Sequence, residues 1–291
     1  MTQTNESQVK DSQANEQIAI GKDDSLRTLA VCHRPAKAAA SPAAANPASV
    51  SPASVSPASV RPGLVWLGGY RSDMMGTKAV ELDRFAQSRG LECTRFDYSG
   101  HGRSGGDFKQ GTISRWLEES LAVVDRFTGG PQLLIGSSMG AWIALRMVQE
   151  LQKKGLSARV CGLLLLAPAP DFTSALHEPL LTEAQVQALE TKGYIEEATP
   201  YGPEPNVYTK ALFDDGRENQ VLHGLIETGC PVHIIQGMED PDVPYAHALR
   251  LVEHLPSEDV VLTLVRDGDH RLSRPQDIAM MLNAVSAMIG E

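Results

Sequence analysis

From about residue 64 to its end, the chain alternates short apolar runs with longer stretches of helical periodicity, and this alternation restricts the fold more than any other feature. The strand-like runs cover residues 64–67, 93–98, 132–137, 160–167, 232–236 and 260–265. Helix-like stretches fall near 77–89, 113–127, 141–154, 246–254 and 276–289. A strand that returns to its sheet through a helix re-enters from the same end. The pattern therefore predicts an α/β fold with a mostly parallel central sheet and helices on both faces. A hairpin is expected ahead of it, with strands at 17–20 and 27–33 around the turn-rich Gly21-Lys22-Asp23-Asp24.

Two stretches break the rhythm. Between residues 35 and 61 the chain is rich in Ala, Ser and Pro, and NPASV, SPASV and SPASV run consecutively from Asn46 to Val60. Proline at every fifth position removes amide donors, so an extended insertion over 37–60 is expected, outside the core. Residues 171–228 read as a small helical cap, proline-bearing and acidic, with 10 Asp or Glu against 3 Lys or Arg up to residue 226. Residues 1–16 are polar and aperiodic, which predicts a disordered N-terminus before a single domain over 17–291.

Composition excludes several classes of partner. A formal net charge of -10 does not suit a nucleic-acid surface, which needs a basic stripe to neutralise phosphates. No apolar run approaches the roughly 20 residues that span a bilayer. The start, MTQTNESQVKDSQANEQ, carries no basic n-region or apolar core, so a cytoplasmic location is expected. Cys32, Cys93, Cys161 and Cys230 lack C-x-x-C spacing and read as reduced, mostly buried thiols.

The chemistry-bearing signal lies in Gly136-Ser137-Ser138-Met139-Gly140, between the run ending at 137 and the next helix. G-x-S-x-G in a strand-to-helix setting predicts a nucleophile elbow at Ser138, with glycines where a side chain would strike the neighbouring strand or helix. Ser137 should point into the sheet. A serine hydroxyl is a weak nucleophile unless a base takes its proton and a carboxylate fixes that base. His270, in Asp267-Gly268-Asp269-His270, is the expected base, and Asp240, in Gly237-Met238-Glu239-Asp240, the expected acid. Glu239, Asp242, Asp267 and Asp269 are weaker rivals for the acid. All three favoured residues follow strand ends, where open α/β sheets place their ligands. Oxyanion stabilisation is assigned to the backbone amides of Met139 and Tyr70. No metal or organic cofactor is required; a site from Asp240, Asp242 and Asp269 is the metal alternative. His101 reads as a packed loop residue. His177, His223, His233, His247 and His254 read as surface or core. Tyr194, Tyr201, Tyr208 and Phe213 read as aromatics that hold the cap together.

Three further segments carry a resemblance. Residues 95–104 match an Asp-x-x-Gly-x-Gly-x-Ser loop, 237–244 match a G-x-x-D-x-x-V-P acid turn, and both flank the elbow in sequence. On these the chain resembles the serine α/β-hydrolase superfamily from Leu64 onward. GGYRSDMMGTKA, FDYSGHG, GPQLLIGSSMGAW and DVPYAHALR are similar to the subgroup that contains the mitochondrial palmitoyl-protein thioesterase and acyl-glucuronide esterase, with its bacterial relatives. The resemblance implies an ester or thioester hydrolase acting on a small-molecule or acyl-peptide substrate, with Ser138, Asp240 and His270 as the triad. The chain departs from the pattern at Gly68 and Gln236, where histidine is usual. Other chemistries of the same fold, or a non-catalytic small-molecule receptor, are the alternatives.

Overall fold

The computed structural model describes residues 16–37, 61–200 and 202–291. The expected N-terminal disorder and the proline-rich insertion lie outside the described residues, apart from Glu16 and Lys37. Glu16 opens the first strand instead of closing a disordered tail. Lys37 donates its amide to Gly90 O at 3.1 Å.

The hairpin forms as expected from β1 (Glu16–Ile20) and β2 (Arg27–Arg34), paired antiparallel. β3 (Gly63–Leu67) then leads through α1 (Thr77–Arg89) to β4 (Cys93–Phe96), and α2 (Ile113–Phe127) leads on to β5 (Gln132–Ser137). α3 (Met139–Lys153) joins β5 to β6 (Val160–Leu166). After the 171–228 excursion come β9 (Val232–Gly237), α6 (Tyr245–Glu253), β10 (Val260–Val265) and α7 (Pro275–Met288). The eight-stranded sheet runs β1-β2-β4-β3-β5-β6-β9-β10. β2 meets β4 antiparallel, and every pair from β4 to β10 is parallel.

Successive strand residues point to opposite faces, and here both faces are apolar. Val65, Leu67, Leu134, Leu163 and Leu165 pack on one side with Trp116, Val123 and Trp142 of α2 and α3. Leu64, Trp66, Leu133, Ile135 and Leu164 pack on the other with Leu82 and Phe85 of α1 and Met281 and Val285 of α7. That explains why the strands read as unbroken apolar runs. α2 shows how local sequence sets the helices: Thr112 caps it by accepting from the Arg115 amide at 3.2 Å, and Ile113, Trp116, Leu117, Ser120, Val123 and Val124 form one buried stripe. α1 stops at Gly90, whose φ of 66° is the left-handed cap conformation.

The excursion differs from the expected helical cap. It holds α4 (Glu183–Lys192) and α5 (Lys210–Glu218), but between them β7 (Tyr194–Glu197) and β8 (Asn206–Thr209) pair antiparallel as a separate two-stranded sheet. Neither Tyr194-Ile195-Glu196-Glu197 nor Asn206-Val207-Tyr208-Thr209 alternates apolar with polar residues, so neither shows the period of two that marks a strand. Their pairing becomes favourable because it buries Ile195 and Tyr208 against the main core. Among the described residues, no helix is long and apolar enough to cross a membrane.

Candidate active site

Ser138 occupies the single position between the end of β5 and the start of α3, with φ 55° and ψ -118°. Such a backbone costs on the order of 1–3 kcal/mol for a non-glycine residue and persists only where the surroundings enforce it. They do so here: the Ser138 amide donates to Leu166 O at 2.9 Å, and Ser138 O accepts from Ala141 and Ala169 at 3.0 and 3.2 Å. The flanking glycines are obligatory. A Cβ on Gly136 would lie 2.5 Å from Gly140 O, and one on Gly140 would lie 2.1 Å from Leu67 O. Ser137 is buried, as expected, while Ser138 is partly exposed.

His270 and Asp240 meet Ser138 from the ends of β10 and β9. His270 Nε2 lies 3.1 Å from Ser138 Oγ, and His270 Nδ1 lies 2.8 Å from Asp240 Oδ2. Nδ1–H donates to the carboxylate, which leaves Nε2 as the acceptor facing the serine hydroxyl. The Asp240 side chain is fully buried and accepts four hydrogen bonds. Oδ1 takes the amides of Asp242 and Val243 at 2.9 and 2.8 Å, and Oδ2 takes His270 together with Gln236 Nε2 at 3.1 Å. The loops carrying acid and base touch directly: a Cβ on Gly237 would lie 2.3 Å from Gly268 O.

Two of the rival carboxylates are engaged elsewhere, a third is exposed, and Asp242 stays beside the Asp240–His270 pair. Asp267 pairs with Arg274 at 2.7 Å, Asp269 accepts the Leu272 amide at 2.9 Å, and Glu239 is exposed. Ligand-type atoms of Asp240, Asp242 and His270 lie within 4.8 Å of one another, whereas Asp269 is outside that group.

Gln236, one of the two departures, acts beneath the acid. Its buried Nε2 donates to Gly237 O, Val243 O and Asp240 Oδ2 at 2.9–3.1 Å, which ties the acid loop to the strand that launches it. At the other departure, a Cβ on Gly68 would meet nothing closer than 3.7 Å. Next to it, a Cβ on Gly69 would lie 3.3 Å from Ser138 Cβ, so the loop after β3 runs against the elbow. Among the described residues, no hydrogen bond engages the amides of Met139 or Tyr70.

His101 does more than the expected packing. Its Nδ1–H donates to Ser99 O at 3.2 Å, and its Nε2 accepts the amide of Arg71 at 3.2 Å, which fixes the peptide that follows Tyr70. The surrounding loop is pinned by Asp97, whose carboxylate accepts the amides of Met74 and Arg103 at 2.6 and 2.8 Å. Burial pushes His101 from the ordinary 6.5 down to about 4, so it stays neutral and keeps that acceptor. A histidine lowered on folding binds fewer protons folded than unfolded between about pH 4 and 6.5. Its contribution is therefore complete above 6.5 and is lost as pH falls toward 4, by about 3 kcal/mol at most. Urea unfolding of His101→Gln should show a flatter loss of stability between pH 7 and pH 4.5 than the parent; an unchanged slope would assign the acid sensitivity elsewhere.

A cleft of about 870 Å³ opens over Ser138 and His270, lined on its apolar side by Phe172, Leu176, Tyr208 and Val243. Lys78 borders it and donates to Arg271 O. Its ammonium is pushed down to about 8 by burial and then by the Arg271 charge. His177 also lines the cleft, with its ring 4.3 Å from that of Tyr208; nothing in its sequence context signals this, because contacts across the excursion create it. His247 holds the start of the excursion by donating to Pro170 O at 2.8 Å. His233 and His254 bond Thr263 and Gly224 O, and His223 is exposed. Of Tyr194, Tyr208 and Phe213, Tyr208 lines the cleft, as does Phe172 at the start of the excursion. Phe213 is core, Tyr194 lies under Lys109 Nζ at 3.7 Å, and Tyr201 lies outside the described residues. All four cysteines are free, two buried and two half-buried.

Comparison with known proteins agrees with the architecture. A family model described as an alpha/beta hydrolase family matches residues 38–280. The mitochondrial palmitoyl-protein thioesterase ABHD10 of Pongo abelii is 32% identical over 229 residues, 78% of this chain and 72% of that protein. The human protein of the same name is 31% identical over the same shares. Among solved structures, a putative hydrolase from Agrobacterium vitis S4 is 56% identical with a TM-score of 0.85, covering 94% of this chain and 98% of its own. Mouse alpha/beta hydrolase domain-containing protein 10 is 27% identical with a TM-score of 0.76 over the same shares. The chain belongs to the α/β-hydrolase family.

Proposed function

We propose that the protein hydrolyses carboxylic esters or thioesters through an acyl-enzyme on Ser138. The observation that carries this reading is the hydrogen-bonded series Ser138 Oγ, His270 Nε2, His270 Nδ1, Asp240 Oδ2, at 3.1 and 2.8 Å, on a strained turn that opens into the cleft. His270 takes the hydroxyl proton as Oγ attacks the carbonyl, and Asp240 stabilises the imidazolium that results. The oxyanion accepts from the amides of Met139 and Tyr70, each such donor contributing about 3 kcal/mol in comparable sites. His270 then gives its proton to the leaving alcohol or thiol. Water, activated by the same histidine, releases the acid.

The thioesterase relatives support an S-acyl substrate, and the apolar lining of Phe172, Leu176, Tyr208 and Val243 suits its acyl chain. The palmitoyl-protein thioesterase relatives are named as mitochondrial, which does not support the expected cytoplasmic location. A fluorophosphonate probe together with p-nitrophenyl esters and S-acyl peptide thioesters tests the proposal. Stoichiometric labelling of Ser138 and turnover of at least one panel are expected. Folded protein that takes no label and cleaves neither panel would leave the receptor reading in its place.

A further inference from the structure

The loop that carries the proposed oxyanion amide is fastened to the excursion by its own side chains. The Tyr70 phenol donates to Val207 O of β8, and its ring stacks on that of Tyr208, with centroids 5.3 Å apart and planes 7° from parallel. The same ring meets Phe108, Trp116 and Phe172 at 5.0–5.9 Å. Arg71, at φ 55°, reaches Pro205 O and the Glu204 carboxylate, the latter at 3.1 Å. Residues 70 and 71 thus hold the stretch from 204 to 208 at three polar points and one stacked ring, while His101 holds the Arg71 amide from the opposite side. Burial raises the Tyr70 phenol well above its ordinary value, so it remains a donor at any working pH.

Tyr208 belongs to both systems, since it lines the cleft and stacks on Tyr70. A group lying along the apolar wall packs against Tyr208 and presses β8 onto the loop after β3. The geometry points to a coupling in which Tyr70 is a positioning residue: an acyl chain long enough to reach Tyr208 seats β7 and β8 and fixes the Tyr70 amide for the oxyanion, so longer chains gain kcat and not only affinity. The coupling rests on the acyl-hydrolase reading and adds to it a preference for extended acyl groups that is expressed in the transition state. Binding energy from a remote part of the substrate is then used at the reacting carbonyl. Whatever share of molecules has the loop unseated is shifted toward the competent form by the chain itself.

The test is a series of p-nitrophenyl esters from acetate to decanoate, with kcat and KM measured separately for the parent, Tyr70→Phe and Arg71→Gln. For the parent, kcat should rise about tenfold along the series. Tyr70→Phe keeps the ring and removes only the bond to Val207 O; the octanoate-to-acetate ratio of kcat should fall toward one while KM moves less than about threefold. Arg71→Gln, which loses the attachments to residues 204 and 205 at a different atom, should flatten the series in the same way and guards against a folding defect in the first variant. A parent series in which only KM changes, or variants that keep the parent's kcat ratio, overturns the coupling. Fluorophosphonate labelling of Ser138 separates the two failures: label with a flat series leaves the hydrolase reading standing, and no label removes both.

Discussion

Ser138→Ala is expected to lower turnover of any accepted ester or thioester by on the order of 10⁴-fold or more, and to abolish fluorophosphonate labelling. The change is large because the elbow admits no substitute. Ser137 is adjacent but buried at the end of β5, and it is the Ser138 hydroxyl that faces His270 Nε2. Alanine keeps the Cβ, and the bonds that enforce the φ of 55° all run through the backbone to Leu166, Ala141 and Ala169. The thermal midpoint should therefore stay within a few degrees of the parent, separating lost chemistry from lost fold. Activity remaining in Ser138→Ala derives from the oxyanion amides and the cleft, which still bind the developing charge. A variant with near-parental kcat, measured against a mock preparation purified in parallel, would remove Ser138 from the mechanism.

The central sheet and the favoured polar residues were legible because each leaves a short-range signature. Leu133 to Ile135 and Leu163 to Leu166 read as continuous apolar runs because helices cover both sides of every strand there. Ser138, Asp240 and His270 announce themselves through glycines, and Gly136, Gly140 and Gly237 are glycine because backbone passes within 2.1–2.5 Å of where a Cβ would stand. The contributions that stayed hidden depend on contacts remote in sequence. Gln236 stands out only as a departure from a family pattern; its role follows from the acid loop folding back so that Val243 O meets its amide. His101 looked like loop packing because its partner, the Arg71 amide, lies 30 residues earlier. β7 and β8 escaped because their sequences, YIEE and NVYT, lack apolar–polar alternation and their pairing is visible only in the folded chain. Boundaries moved for local reasons as well: β4 ends at Phe96, not Tyr98, because Asp97 turns its carboxylate to the amides of Met74 and Arg103.

Asp240→Asn should be the second most damaging change, with kcat falling by about 10³–10⁴-fold near pH 7. The reason lies in the four donors that face the carboxylate. Oδ1 faces the amides of Asp242 and Val243, which are backbone and cannot change role, so an asparagine must turn its oxygen toward them and its NH₂ toward His270. At that second position it also meets Gln236 Nε2, whose orientation is held by two carbonyls, Gly237 O and Val243 O. Donor then faces donor. His270 relieves its share by carrying the proton on Nε2, the tautomer that cannot accept from Ser138. Gln236 can relieve the rest only by turning its amide, which removes the donor from both carbonyls. Because a more basic solution restores no acceptor at Nε2 of that tautomer, raising the pH to 9 should rescue Asp240→Asn only through direct ionisation or hydroxide attack, as a rate that climbs without a plateau. The Asp240→Glu variant keeps the charge and loses the fit, and should fall between the two. Steady-state kcat over pH 5–9 for all three proteins reads the difference; an Asp240→Asn profile that parallels the parent's at comparable height would mean that another carboxylate orients His270.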